Sequence, residues 1–426
     1  MLDLYFVSVI AFFIILGLVI FADRKKIEIK SYVIFMRRTK RFRILIDEIA
    51  QFWPGFWKTI GTFGIIVCFL YMLLGTGFLI NSSYNIAAGL VDKPTISLVL
   101  PTPFSQASIG PGYMSFPFWS WFLIILMILI PHELSHGILS RTEKIKLKSV
   151  GLLLLVLSPI ALFITGLYGL IAGALTLESL MVALFLILPG AFVEPDEKQL
   201  KKAKTITRLR VFAGGSAANI FVGLTVFMIT AFILWPAMIS PGVDIFYVNQ
   251  SSPASNAGLT NGTIITHINN IPVSVSYCEY NNGGINAFLP YMCKSGSGYF
   301  VEEIGQAKIG DNIQMRSDEK TYDILVKAVE VDGIEYPFVG ILYKPIIKNG
   351  DPGFLFSLIS FMSLLWIFSF AVAIFNILPI YPLDGGLMVE TIIERFNKKS
   401  AKKIARAISL IVLLILLYNF FGPLLM

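Results

Sequence analysis

Charge is what this 426-residue chain most lacks: 14% of its residues are Asp, Glu, Lys or Arg, against about 25% in a typical soluble domain. With 56% hydrophobic residues and a mean hydropathy of +0.75, it has too few polar side chains to be an ordinary water-soluble protein, so most of it must lie in lipid. Histidine and cysteine are scarce, three of each. The first apolar stretch lacks a basic leader and is followed at once by Asp23, Arg24, Lys25 and Lys26. That order is the reverse of a secretory signal, so the stretch is expected to stay as an anchor. Low-complexity tracts and usable repeats are also missing, which leaves a solenoid unsupported. The lack of inverted repeats argues against a transporter.

What is present is a series of apolar runs. Crossing a hydrocarbon core of about 30 Å takes roughly 20 residues of helix, and runs near 4–22, 59–80, 118–140, 211–235, 354–380 and 404–422 meet that length. Of the 34 lysines and arginines, 10 fall in 23–58, 4 in 140–150, 6 in 194–210 and 6 in 395–406. These loops alternate with the crossings on one side, and the positive-inside rule makes that side cytoplasmic. The N-terminus is then outside, and the excess of basic charge faces the membrane surface, not a nucleic acid. The apolar region 149–193 has basic sequence at each end, so it crosses an even number of times. A hairpin of two spans turning near Glu178 is expected there in preference to a re-entrant element, which brings the total to eight.

From 239 to 348 the composition turns polar and strand-like, with runs such as FYVNQ and TIITHI between Gly, Asn and Pro turn signals. The charge rule puts this segment outside the cytoplasm. Cys278 and Cys293 flank a Gly- and Asn-rich insertion within it, where they either form a disulfide or remain two free thiols. Cys68 lies in an apolar helix and is read as packing.

Chemistry concentrates at HELSH, residues 132–136. Residues i and i+4 share a helix face, so His132 and His136 can reach one zinc ion, and Glu133 projects beside it, where it can take a proton from water. The three interrupt the apolar run FWSWFLIILMILIP, and each ionisable group at membrane depth costs roughly 2.5–3.5 kcal/mol. The plainer alternative is a set of polar residues at the mouth of the helix. The third histidine, His267, is read as a surface strand residue. A catalytic zinc site typically has three protein ligands and an open position, and with both membrane histidines used, a carboxylate must supply the third. Asp384 is the natural candidate. It follows an apolar helix inside FNILPIYPLDGG, where Pro379 and Pro382 break the helix and Gly385 and Gly386 permit a turn or close approach. Its alternative is a helix-terminal turn residue.

HELSHG, AGGSAANI and NILPIYPLDGG, in that order, resemble the site-2 protease family of intramembrane metalloproteases, over most of 118–390. The resemblance implies that His132, His136 and Asp384 bind one Zn²⁺, that Glu133 is the general base, and that substrates are transmembrane helices of membrane-anchored proteins. It matches Asn376 to the Asn of the family's N-x-x-P-x-x-P-L-D-G motif, with substrate positioning or oxyanion stabilisation as its role and a hydrogen bond to a neighbouring helix as the alternative. AGGSAANI, residues 213–220, matches the small-residue motif of the family's third core helix. There Gly and Ala permit close packing, and Asn219 either contacts substrate or ties helices together. GAFVEPDEKQL, residues 190–200, resembles a segment of archaeal members, but the apolar insertion 155–187 departs from the usual layout. SSPASNAGLTNGTIITHINNIPV, residues 251–273, resembles a PDZ domain, which binds peptides by adding a strand.

The expected architecture is thus a multi-spanning α-helical membrane protein with an inserted extracytoplasmic PDZ-like α+β domain. Its parts are 1–117 (N-terminal helices and loops), 118–238 (first half of the catalytic core), 239–348 (PDZ-like) and 349–426 (second half of the core and a last helix). The expected partners are the bilayer, membrane-anchored substrates and a peptide ligand of the PDZ-like part, with no nucleic acid. The cell membrane is the expected location. A receptor or scaffold with a structural metal is the principal rival reading, and Glu133 discriminates, since a structural site gains nothing from a general base. A second rival is a metalloprotease of soluble or lipid-modified peptides, which would take its third ligand from a Glu soon after HExxH. Glu143, in a basic loop, is poorly placed for that.

Overall fold

In lipid the backbone must satisfy its own polar groups, so long apolar runs fold as helices, which do this within one segment. The computed structural model describes residues 4–30, 33–104, 108–110, 112–159, 161–162, 180, 183, 186–234, 239–240, 242–273, 275–276, 304, 307–331, 334–345 and 352–424. The chain divides into two units, 1–225 with 364–426, and 226–363. In chain order the membrane part carries α1 (Leu4–Asp23), β1 (Ile27–Lys30), β2 (Ile34–Arg38), α2 (Lys40–Phe52), α3 (Pro54–Ala87), β3 (Leu98–Thr102), β4 (Ser108–Gly110), β5 (Tyr113–Pro117), α4 (Phe118–Thr142), β6 (Leu147–Val156), β7 (Ile187–Pro195), α5 (Thr205–Ile229), α6 (Pro352–Ile377), α7 (Asp384–Phe396) and α8 (Ala401–Phe421).

Six helices among the described residues are long and apolar enough to cross a membrane: α1, α3, α4, α5 with its π-helical extension to Leu234, Ser357–Ile377 of α6, and α8. They match the six runs read from the sequence. Large apolar side chains stay exposed along them, Leu73 by 75% and Phe221 by 69%. Such surface suits acyl chains and would aggregate in water. The α3 helix runs past the expected end at residue 80 to Ala87, and in this added stretch Thr95 and Asn419 bond to Ser82 and Ser83. The α6 helix stops at Ile377, before the expected 380, because Pro379 has no N–H to continue it.

The two further spans expected in 149–193 do not take that form where residues are described. Leu147–Val156 and Ile187–Pro195 pair as antiparallel strands, and β2 pairs with β6 on the other side, giving the sheet order β1-β2-β6-β7. Apolar runs of this length read equally as buried strand or helix, and the neighbouring β1–β2 hairpin supplies the partners that decide for strand. Glu178, the expected turn, lies outside the described residues. A Cβ at Gly151 would collide with the Arg37 carbonyl, so glycine allows β6 to lie close on β2.

Small residues and polar ties hold the helices of the first unit. A Cβ at Gly64 would come within 2.9 Å of Ala217 and one at Gly75 within 2.9 Å of Ile374, so glycines bring α3 against α5 and α6. Ile65, Cys68, Met72, Leu209, Ala213, Ile377 and Met388 form one buried cluster joining α3, α5, α6 and α7. The wholly buried Asn419 of α8 donates to Leu79 O at 3.0 Å and to Ser83 Oγ at 2.7 Å, and accepts from Thr95 at 2.9 Å. At the other end of the helices Arg210 donates to Glu143 at 2.6 Å and to Thr62 at 2.9 Å. Thr207 donates to the second Glu143 oxygen at 2.9 Å. Arg208–Glu394 and Arg141–Asp47 add further ion pairs.

The second unit contains β8 (Ile239–Ser240), β9 (Val243–Val248), β10 (Thr263–Ile265), β11 (His267–Ile268), β12 (Ile271–Pro272), β13 (Val275–Ser276), β14 (Asn312–Arg316), β15 (Thr321–Leu325), β16 (Lys327–Val331), β17 (Ile334–Phe338) and β18 (Ile341–Pro345). Its larger sheets run β10-β9-β18 and β12-β11-β14-β15. They close over a core of Val243, Ile245, Ile265, Ile268, Met315 and Ile324, in which strand residues two apart share the buried face. The unit is wider than the polar segment 239–348, since its limits take in the ends of the flanking helices. Cys278 and Cys293 lie outside the described residues.

The Arg210–Glu143 tie has a measurable weight. With 9% of the Glu143 side chain exposed, Arg210→Met leaves a buried carboxylate unpaired, a change that typically costs about 3–5 kcal/mol. The single variant should melt well below wild type in detergent, and Arg210→Met with Glu143→Leu should regain most of the loss.

Candidate metal centre

His132 and His136 lie one turn apart on α4 and present their rings to the same point, with centroids 4.8 Å apart. Their Nε2 atoms are 3.2 Å from each other. Asp384, the first residue of α7, reaches the same point from the far end of the chain, its carboxylate oxygens 3.5 Å from His132 Nε2 and 3.4 Å from His136 Nε2. The turn before it is short because Ile380 N–H bonds to Leu378 O and Leu383 N–H to Ile380 O. A Cβ on Gly385 would overlap the Ile377 carbonyl. Two glycines after Asp384 thus let α7 start directly against the end of α6.

The donor set fits zinc. Ligands at about 2.0–2.1 Å from a tetrahedral ion stand about 3.3–3.4 Å from one another, close to the three separations found. Both imidazoles direct Nε2 at the same point, and for His136 the tautomer is fixed as well. His136 Nδ1 is 2.7 Å from the Val211 carbonyl, which only accepts, so Nδ1 carries the proton and Nε2 is left with its lone pair. His136 and Asp384 each keep 13% of their side-chain surface accessible, His132 7%. The cluster is therefore screened but not sealed. His132, His136 and Asp384 are the only such group of three or more metal-ligating side chains found among the described residues.

Glu133, the expected base, follows His132 on α4, and its Oε2 accepts the Val193 N–H of β7 at 3.1 Å. That strand is the free edge of its sheet, so the carboxylate is anchored to an edge strand beside the cluster.

The other expected site residues fall as follows. Asn219, read as touching substrate or tying helices, is wholly buried and lies with its amide 3.1 Å from His132 Nδ1. Its contact is with a candidate ligand. Asn376 sits half-buried near the end of α6, on the segment that leads to Asp384. Glu143 is held by Arg210 and Thr207 and is taken up in that tie. His267 belongs to β11 of the second unit and meets Thr266.

Two participants went unread in the sequence. Ser216 donates to Asp384 Oδ2 at 3.0 Å, and a Cβ at Gly215 would run into both imidazoles. In AGGSAAN the small residues signal close packing, which hides Ser216. The usable clue was two polar residues three apart on one face of an apolar helix.

The sequence model of peptidase family M50 matches residues 120–418, a stretch that contains HELSH, AGGSAAN and PLDGG. An uncharacterized protein of Methanocaldococcus jannaschii is 24% identical over 401 residues, covering 91% of this chain and 87% of that protein.

Because Gly215 leaves the two rings their space, Gly215→Ala should remove zinc from the purified protein, as read by metal analysis. Gly77→Ala, where a Cβ meets nothing within 4 Å, should retain it.

Proposed function

The chain belongs to peptidase family M50, and from that membership we propose that it is a zinc-dependent intramembrane endopeptidase that cuts peptide bonds within or near transmembrane helices of membrane-anchored proteins. The observation that carries the reading is the meeting of His132 and His136, on a helix long and apolar enough to span a bilayer, with Asp384 at the start of α7, beside Glu133. His132, His136 and Asp384 would hold the ion. Zinc there supplies a Lewis acid that polarises the scissile carbonyl and lowers the pKa of water toward about 7.

The rest belongs to the protein. Glu133 takes the proton of the attacking water and passes it to the leaving amide nitrogen. The Val193 N–H aims one carboxylate oxygen and leaves the other free for that transfer. Asn376 supplies an amide to the developing oxyanion or to the substrate backbone. The accessible surface of His136 and Asp384 supports entry of water and substrate from that side.

A helical substrate hides its carbonyls in its own hydrogen bonds, so it must unwind before cleavage, and weak helix formers near the cut assist. The free edge of β7 supports a way of holding the unwound chain. Val150 sends its carbonyl to Thr39 N–H at 2.8 Å, away from its β7 partner Val193. Ala191 therefore directs its backbone groups outward, as does Val193, whose N–H is held by Glu133. An extended segment pairing along this edge would run past Glu133.

By the positive-inside rule HELSH and PLDGG lie toward the cytoplasm and residues 239–348 of the second unit outside it. That unit serves as a PDZ-like module that takes a peptide before cleavage. A cleft of about 310 Å³ beside β18, lined by residues including Tyr247, Val326, Phe338, Ile341 and Tyr343, supports this role. The protein then acts in regulated intramembrane proteolysis at the cell membrane. A structural metal site gains nothing from a carboxylate beside it that can take a proton.

Glu133→Gln should keep its zinc and lose cleavage of single-span model substrates by at least about a hundredfold, the usual scale of a positioned base. Asp384→Asn should lose both metal and activity. Equal proteolysis by wild type and Glu133→Gln would exclude the peptidase mechanism.

A further inference from the structure

One face of α5 meets all three candidate ligands. The Val211 carbonyl takes the His136 Nδ1 proton at 2.7 Å, Ser216 donates to Asp384 Oδ2 at 3.0 Å, and the Asn219 amide lies 3.1 Å from His132 Nδ1. Residues 211, 215 and 219 follow one another on successive turns, with 216 adjacent, and Gly215 presses its bare backbone against both rings. Ser216 and Asn219 are wholly buried, so neither is available to substrate.

The sense of the Asn219 contact follows from the metal. For His132 Nε2 to offer a lone pair, the ring proton must sit on Nδ1, and the atom facing Nδ1 must accept it. An amide's oxygen and nitrogen have the same shape, and the network decides which faces where. In the structure Nδ2 lies toward His132 Nδ1 and Oδ1 has no hydrogen-bond partner. Exchanging the two, which only His132 opposes or favours, turns Oδ1 to the ring and gives the Nδ1 proton its acceptor.

We propose that Asn219 and Ser216 are positioning residues of the metal centre. Asn219 accepts the Nδ1 proton of His132, and Ser216 fixes the Asp384 carboxylate. Together with the Val211 carbonyl, α5 sets all three ligands before the ion arrives. This rests on the metallopeptidase reading and deepens it, because it moves Asn219 from the substrate to the ligand shell and adds Ser216. Partners of this kind orient the ring, fix its tautomer and raise its basicity, and their loss typically weakens metal binding 10- to 100-fold.

The test uses the full chain in detergent. Zinc affinity is measured by competition with a chelator, and the cobalt-substituted protein is followed by its visible absorption, which reports ligand geometry independently of activity. Asn219→Leu and Ser216→Ala should each bind zinc roughly tenfold to a hundredfold more weakly and shift the cobalt bands. Asn219→Asp, whose carboxylate can only accept, should bind at least as tightly as wild type.

Asn219→Asp binding as weakly as Asn219→Leu would overturn the assigned sense of the bond. Wild-type affinity and an unshifted spectrum in both Asn219→Leu and Ser216→Ala would overturn the positioning role while leaving the metallopeptidase reading intact. A wild-type protein that binds no zinc would overturn both. Ser216→Ala, which removes a single oxygen, carries the test should Asn219→Leu fail to fold.

Discussion

The close approach of α5 to α4 at Gly215 is the constraint on which the site depends. Two imidazoles on one helix face occupy the space where a neighbouring helix would normally place a side chain. Only a residue without a Cβ lets the second helix come near enough to hydrogen-bond them. In lipid no hydrophobic effect drives helices together, so association depends on packing and on the few polar groups that meet across the contact. Gly64 and Gly75 extend the same logic to α3. The glycines thus determine how the helices stack, and the stacking determines where His132, His136 and Asp384 converge.

Polar ties at the two ends of the helices then fix what packing alone would leave free to slide. Asn419 fastens α8 to α3 through Leu79 and Ser83, and to the segment after α3 through Thr95. Arg210 and Glu143 join α5, α4 and, through Thr62, α3 at the end that bears HELSH. A buried carboxylate with both oxygens partnered holds register more than it adds stability, because desolvation offsets much of the Coulomb attraction. The candidate metal site draws on α4 and α5, which the Arg210–Glu143 tie joins, and on α7, which Arg208–Glu394 joins to α5.

Much of this was legible in the sequence, and what was not has a physical explanation. Six spans could be read because length and apolarity alone decide a transmembrane helix. HELSH and PLDGG stood out as candidates because ionisable residues cost too much at membrane depth to be common there. The strands at 147–156 and 187–195 could not, since the run of leucines in β6 fits a buried helix as well as a buried strand, and β1 and β2 made the choice from more than a hundred positions away. Ser216 escaped because serine in a run of Gly and Ala is indistinguishable from packing until its partner is known. Asn219 was noticed, yet its contact with His132 depends on how far α5 is rotated about its axis, which composition does not specify.

The geometry also explains why ligand orientation falls to buried neighbours on α5. Two Nε2 lone pairs and a carboxylate directed at one point repel each other, and only a cation turns that repulsion into attraction. A flexible chain would relieve it by rotating the rings or swinging the carboxylate away, and would pay to reverse the motion each time metal bound. Val211 and Ser216 oppose that relaxation with a hydrogen bond on the atom facing away from the lone pair or on the carboxylate itself, and the bare backbone of Gly215 packs against both rings. The unfavourable arrangement is therefore supported by helix packing formed as the chain folds, so that binding free energy goes into holding the ion and not into assembling its ligands.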